Sequence, residues 1–229
     1  MFKNLISFWK GKDFLTKVLE DFKKMLDDTK YMFESVCRTL IEGKADPGLK
    51  EKTYEVDKKV NLLEKEIRKR IVEHLSIQPS ADVPVSLVLM SVVKDAERIG
   101  DYCKNLLEVI SLLKKPLERR RFEELFDRLD EKILEEFEKT QKAFIESDEA
   151  LAREILYLER EVTKDCDNIV KKLATSDFST NKAVCLTLLA RYFKRIAAHL
   201  ANIATSVILP VSDLDFFDEK LRRKKNELN

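Results

Sequence analysis

Turn-forming residues are scarce in this 229-residue sequence, which holds 4 glycines and 5 prolines. An all-β chain or a doubly wound α/β chain of this length needs more of both, because its many tight turns draw on them. An excess of charge of one sign is lacking as well. The 43 Lys and Arg are matched by 42 Asp and Glu, leaving a net charge of +1. No overall field steers such a molecule to nucleic acid, and nucleic acid is not expected as a partner. No apolar run reaches the roughly 18 residues that a membrane-spanning helix requires. The opening "MFKNLISFWKGK" is broken by Lys3, Asn4 and Lys10 and is followed by no small-residue cleavage site, so it does not read as a secretion signal. The chain is expected in the cytoplasm.

Catalytic and redox signatures are missing too. Cys37, Cys103, Cys166 and Cys185 form no CxxC pair and sit among apolar neighbours, the pattern of small core residues in a reducing compartment. Neither histidine, His74 or His199, follows a glutamate by three positions, which removes the carboxylate-bridged di-iron bundle. P-loop, HExxH and nucleophile-elbow motifs are absent. The chain is not read as an enzyme.

What remains is 44% apolar and 37% charged residues, with apolar positions recurring at three-and-four spacing. That period predicts amphipathic helices throughout. Punctuation such as "GKADPG" (Gly43 to Gly48), "QPSADVP" (Gln78 to Pro84), "KKP" (Lys114 to Pro116) and "TSDFST" (Thr175 to Thr180) divides the chain. Six segments result: Asp13–Glu42, Pro47–Leu75, Val83–Leu113, Leu117–Ser147, Asp148–Leu173 and Thr180–Leu209. Asp13 is expected to cap the first.

The segments repeat in order. "LEKEI" (Leu63 to Ile67) returns as "LEREV" (Leu158 to Val162), 95 positions on, and "RIGDYCKNL" (Arg98 to Leu106) returns as "RIAAHLANI" (Arg195 to Ile203), 97 positions on. "LIEG" (Leu40 to Gly43) has its counterpart in "FIES" (Phe144 to Ser147). The expected fold is all-α, six long helices in two tandem three-helix bundles related by a pseudo-two-fold internal repeat. The expected divisions are an N-terminal amphipathic segment at 1–12, a first repeat at 13–115, a second at 116–211 and a charged tail at 212–229. Leu62, outside the main stripe of its segment, is expected at the join between halves.

Within "KDAERIGDYCKN" (Lys94 to Asn105), Ile99 centres an apolar stripe with Val88, Val92, Cys103, Leu106 and Ile110. Glu97 and Asp101 fall nearly opposite it, about 40° apart. Gly100 lies between them, although glycine costs a helix about 1 kcal/mol relative to alanine. In the second segment Val56, Val60, Leu63, Ile67 and Ile71 form the stripe, and Asp57, Asn61 and Glu64 run along its flank. If the two helices are neighbours, the acidic columns meet on a shared outer surface, and Gly100 permits close approach. Carboxylates at this spacing supply hard oxygen ligands that suit Mg, Ca, Mn or Fe. The plainer reading of the same residues is a solvated ion-paired face, with Lys94 and Lys104 three positions either side of the pair.

"ERIGDYCKNLLE" (Glu97 to Glu108) resembles the signature of the PhoU family, helical regulators of phosphate uptake and phosphate-dependent signalling, and "DKKVNLLEKEI" (Asp57 to Ile67) matches the second-helix pattern of that family. The resemblance covers nearly the whole chain. It implies a cytoplasmic regulator that binds metal ions on its surface, with Glu97 and Asp101 as ligands and Asp57 and Asn61 contributing from the second helix. The metal is left open among iron, zinc, magnesium and manganese. The implied partners are a phosphate transporter, its sensor histidine kinase, or both, with peripheral membrane contact or a homodimer as further possibilities. The alternative is a metal-free helical adaptor that binds a transporter or kinase.

The second half departs from the pattern. Lys194 and Ala198 stand where the first has Glu97 and Asp101, Ala152 stands for Asp57, and Ala197 for Gly100. Arg191, Lys194 and Arg195 would repel a cation, so metal is expected only on the first repeat, and Asp165 and Asp167 do not rebuild the pair. His199 reads as a surface or interface histidine without a carboxylate one turn away, and His74 as a cation complementing a helix C-terminus. At the N-terminus, Phe2, Ile6 and Trp9 line one side of a short amphipathic stretch that packs on its own bundle or touches a membrane. "RRKK" in the tail is a weak anionic-surface signal.

Overall fold

The computed structural model describes residues 13–42, 47–78, 82–115 and 117–214. Every regular element in it is helical: α1 (Asp13–Glu42), α2 (Leu49–Ile77), α3 (Val83–Leu112), α4 (Arg119–Phe126), α5 (Leu129–Glu146), α6 (Glu149–Ala174) and α7 (Thr180–Ile208), then a 3₁₀ turn at Val211–Asp213. None of the described helices is long and apolar enough to cross a membrane. The expected residues 1–12 and most of the charged tail lie outside the described residues. Asp13, expected as a cap, is the first residue of α1.

Six segments become seven helices because the fourth one breaks. Asp127 and Arg128 both take the left-handed conformation, at φ 41° and 58°, and an L-residue there cannot continue a right-handed helix. The apolar spacing runs on across the break, since Phe122, Phe126, Leu129 and Ile133 are all buried. Periodicity alone therefore gave no warning. Other ends follow local chemistry. Asp148 caps α6 by accepting from the amides of Ala150 and Leu151 at 3.0 Å each, and Ser179 accepts from the Lys182 amide at the start of α7.

The helices form one core rather than two. α1, α3, α5 and α7 pack against one another in the middle, with α2 laid on α1 and α3, and α6 laid on α5 and α7. The central position of α3 and α7 shows in their burial. α3 buries Val85, Val88, Leu89, Val92, Val93, Ala96, Ile99, Cys103, Leu106 and Val109, far wider than a single stripe, whereas α2 buries one narrow face. Leu62 is 60% exposed on the outer side of α2, which corrects its expected place at the join. The halves meet instead along an aromatic seam. Phe22 meets Phe144 at 4.7 Å between ring centroids, Phe33 meets Phe137 at 5.8 Å and Phe193 at 5.5 Å, and Phe126 meets Phe193 at 5.8 Å. These rings are fully or almost fully buried, and the spacings are those of favourable edge and offset aromatic pairs.

All four cysteines are free and buried. Burial pushes the Cys166 thiol up to about 12 and the thiols of Cys37, Cys103 and Cys185 upward as well. They are inert core residues, since the reactive species is the thiolate.

Candidate functional site

α2 and α3 run side by side, so the acidic columns do meet. They meet in a cleft rather than on an open surface. Asp57 is 6% exposed, because it follows Leu49 and Thr53 and precedes Val60 at helical spacing on the buried face of α2. It belongs to the stripe, not to its flank. Asp101 and Glu97 are half-buried at the rim.

The centre of the cleft is a lysine. Lys104 Nζ lies 2.9 Å from Asp57 Oδ2 and 2.9 Å from Asp101 Oδ1, tying α2 to α3. Asn61 Nδ2 donates to Asp57 Oδ2 at 3.3 Å, and Arg98 reaches Asp101 Oδ2 at 3.3 Å from its own helix. Glu64 pairs with Arg68 at 2.9 Å. Glu97 is the carboxylate of this group with the weakest compensation. Burial, and then the charges of Asp101 and Glu64, raise its pKa against the opposing pull of Arg98 and Lys104. Asp57 Oδ1 and Asn61 Oδ1 are buried and accept no hydrogen bond.

Gly100 has a different role from the one its position suggested. A Cβ built on it would meet Asp57 Oδ1 at 3.6 Å, Thr29 Cγ2 at 3.7 Å and Met32 Cε at 3.9 Å. These are ordinary contacts, so helix approach does not demand glycine here. What glycine does is leave one side of the unpartnered Asp57 oxygen uncovered.

These residues do not fit a resident metal as the side chains stand. The ammonium of Lys104 holds the position between the two carboxylates, and among the described residues no three of His, Cys, Asp or Glu converge as a metal's ligands would. Asp57, Asn61 and Asp101 are brought together around Lys104, while Glu97 stands one turn away from Asp101.

In the second half the lysines close every acidic opening. Lys194 Nζ bonds both oxygens of Asp167 at 2.8 Å, Arg191 reaches the same carboxylate at 3.5 Å, and Lys132 holds Asp165 at 2.8 Å. His199 lies at the join, as one of its two readings had it. Its carboxylate partner comes from the other half, where Asp95 Oδ1 meets His199 Nδ1 at 2.7 Å and accepts from Asn202 at 3.2 Å. Tyr102 stacks on the same ring at 5.6 Å. His74 contacts Asp82 at 2.7 Å across the α2–α3 connection.

Two buried acids were not anticipated. Asp95 is 1% exposed and Glu136 is 0% exposed. Both oxygens of Glu136, and the hydroxyl of Thr140 one turn on, lack hydrogen-bond partners. Burial, and then the charges of Glu159 and Glu135, push the Glu136 carboxyl well above the usual range. The signal for both was in the spacing. Asp95 precedes Ile99 by four on the stripe of α3, and Glu136 lies between Ile133 and Phe137 on that of α5.

An all-helical protein with two serial halves, a shared core and a lysine-bridged acidic cleft in the first half is the class these features define. The PhoU domain model matches the chain twice, at residues 22–110 and 126–207, and the chain belongs to the PhoU family. It is 27% identical over 191 residues to the phosphate-specific transport system accessory protein PhoU homolog of Pseudomonas aeruginosa, covering 80% of this chain and 78% of that one. It is 25% identical to the Pseudomonas putida protein of the same description, covering 80% and 74%. Its fold is that of two crystal structures. PhoU from Pseudomonas aeruginosa matches with a TM-score of 0.73 at 22% identity, over 85% of this chain and 95% of that one. The PhoU phosphate transport system regulatory protein from Streptococcus pneumoniae matches with a TM-score of 0.71 at 18% identity, over 86% and 95%.

Proposed function

We propose that the chain is a cytoplasmic accessory regulator of phosphate uptake, acting by contact with a phosphate transporter, its sensor histidine kinase, or both. The observation that carries this reading is the double match of the PhoU domain across both halves, together with relatives described as accessory proteins of phosphate-specific transport. Such a role needs a rigid, largely charged helical surface and no catalytic group. The fold supplies the surface, with Tyr54, Leu62 and Val72 exposed along α2 as apolar points among its charges.

Metal binding enters this reading through the first half alone. With Lys104 withdrawn, Asp57, Asn61, Asp101 and the nearby Glu97 are the residues that a hard divalent ion would meet. Replacing Glu97 and Asp101 together with alanine should then abolish binding of such an ion, and should leave thermal stability similar or higher. The regulatory reading is tested separately. Deleting the gene should uncouple phosphate uptake from external phosphate, and the chain supplied in trans should restore the coupling. Uptake that stays normally regulated in the deletion strain rejects it.

A further inference from the structure

The acidic cleft of the first half already contains its cation. Lys104 Nζ sits at hydrogen-bond distance from carboxylates of two different helices, 2.9 Å from each, with 20% of its side chain exposed. An ammonium offers three protons, and two are directed at Asp57 Oδ2 and Asp101 Oδ1. Around it the acceptors outnumber the donors. Asp57 Oδ1 and Asn61 Oδ1 are both buried and unpartnered, and the Asp57 side chain is only 8% exposed. The missing side chain at Gly100 leaves the Asp57 oxygen uncovered on that side. Two free hard oxygens beside a bridged pair of carboxylates are more acceptor capacity than one ammonium can satisfy. A divalent ion takes six or more such oxygens, from protein and water together.

We infer that Lys104 is a tethered cation masking a divalent-ion site built from Asp57, Asn61 and Asp101, so that ions bind this face only in competition with the chain's own lysine. The inference rests on the reading of these three residues as cation-facing. It adds that occupancy is set by Lys104 and not by the carboxylates alone. The same device stands fully closed in the second half, where Lys194 bonds both oxygens of Asp167. There Ala152 and Ala198 stand in place of Asp57 and Asp101, so removing that lysine should expose no comparable site.

Manganese(II) is the probe. It is titrated calorimetrically into the full chain carrying Lys104→Met, Lys104→Gln, Lys104→Arg, Lys194→Met or Lys104→Met with Asp57→Asn, and into the parent. Removing the positive charge should tighten manganese binding by about tenfold or more. Lys104→Arg and Lys194→Met should leave it at the parent's level, and adding Asp57→Asn should abolish the gain. Thermal melts should show manganese raising the midpoint of the Met and Gln variants more than that of the parent. If the parent binds as tightly as the Met and Gln variants, the masking role falls while the metal reading stands. If none of the proteins binds manganese, both fall. Met and Gln variants that stay unfolded even at saturating manganese also overturn the inference, because an ion in the ammonium's place would restore the missing charge.

Discussion

Glu136 is the residue whose environment departs furthest from water. Its carboxyl is fully buried, makes no hydrogen bond, and has a pKa raised well above 4.5. A carboxyl with a raised folded pKa holds its proton more tightly folded than unfolded. Its cost to stability is therefore absent below the ordinary glutamate range, grows as pH rises from there, and is complete above the folded value. Glu97, raised by partial burial, adds a smaller contribution of the same sign. Glu136→Gln cannot ionise, so its advantage over the parent should be larger at about pH 8 than at about pH 5 in urea midpoints. An advantage that shrinks with pH would show that the carboxyl is charged and compensated. Glu136→Met, which removes two unsatisfied oxygens at similar volume, should raise stability by about 1–3 kcal/mol. Gly100 gives a second prediction. Its Cβ would make only ordinary contacts, so Gly100→Ala should stabilise α3 by up to about 1 kcal/mol. The same methyl group covers the open side of Asp57 Oδ1, so the variant should weaken any manganese binding seen in Lys104→Met.

Among the elements, α3 carries two tasks on one rod. One side of it forms the acidic cleft with α2, and another holds Asp95 against His199 and Asn202 of α7. Asp95→Ala leaves both partners without their acceptor and should cost about 1.5–3 kcal/mol in chemical denaturation. A double-mutant cycle of Asp95 and His199 should return a coupling of about 0.5–3 kcal/mol, whereas additive effects would make the contact incidental. Helix number, length and order were legible in the sequence to within one break, because apolar spacing reports burial directly. The break at Asp127 and Arg128 was not, since it lies in the backbone of two residues whose neighbours keep the spacing. The acidic cleft was legible as a set of residues: Asp57, Asn61, Glu97 and Asp101 were named from spacing and resemblance. Its centre was not, because a lysine three positions after Asp101 is seen from the sequence as a partner within its own helix. Its second bond, to Asp57 on α2, depends on the rotation of one helix against another. His199 was misjudged for the same reason, its carboxylate lying in the other half.

For the whole molecule, the shared core makes the halves interdependent. α3 and α7 are buried widely and pack on each other, and Phe33 of the first half touches both Phe137 and Phe193 of the second. Denaturation should therefore be a single cooperative transition by helical and aromatic signals together. A fragment ending near residue 115 should lack fixed tertiary structure while keeping helix, read as loss of near-ultraviolet dichroism with dye binding. A fragment that melts sharply on its own would show that the first half is an independent unit. The aromatic seam has a further consequence for descent. Once two copies of an ancestral unit shared rings across their boundary, neither could be exchanged for the matching half of a cousin without its counterpart. The copies then became free to diverge in their charged faces while their apolar faces had to change in concert, and recombination within the gene is penalised at its midpoint.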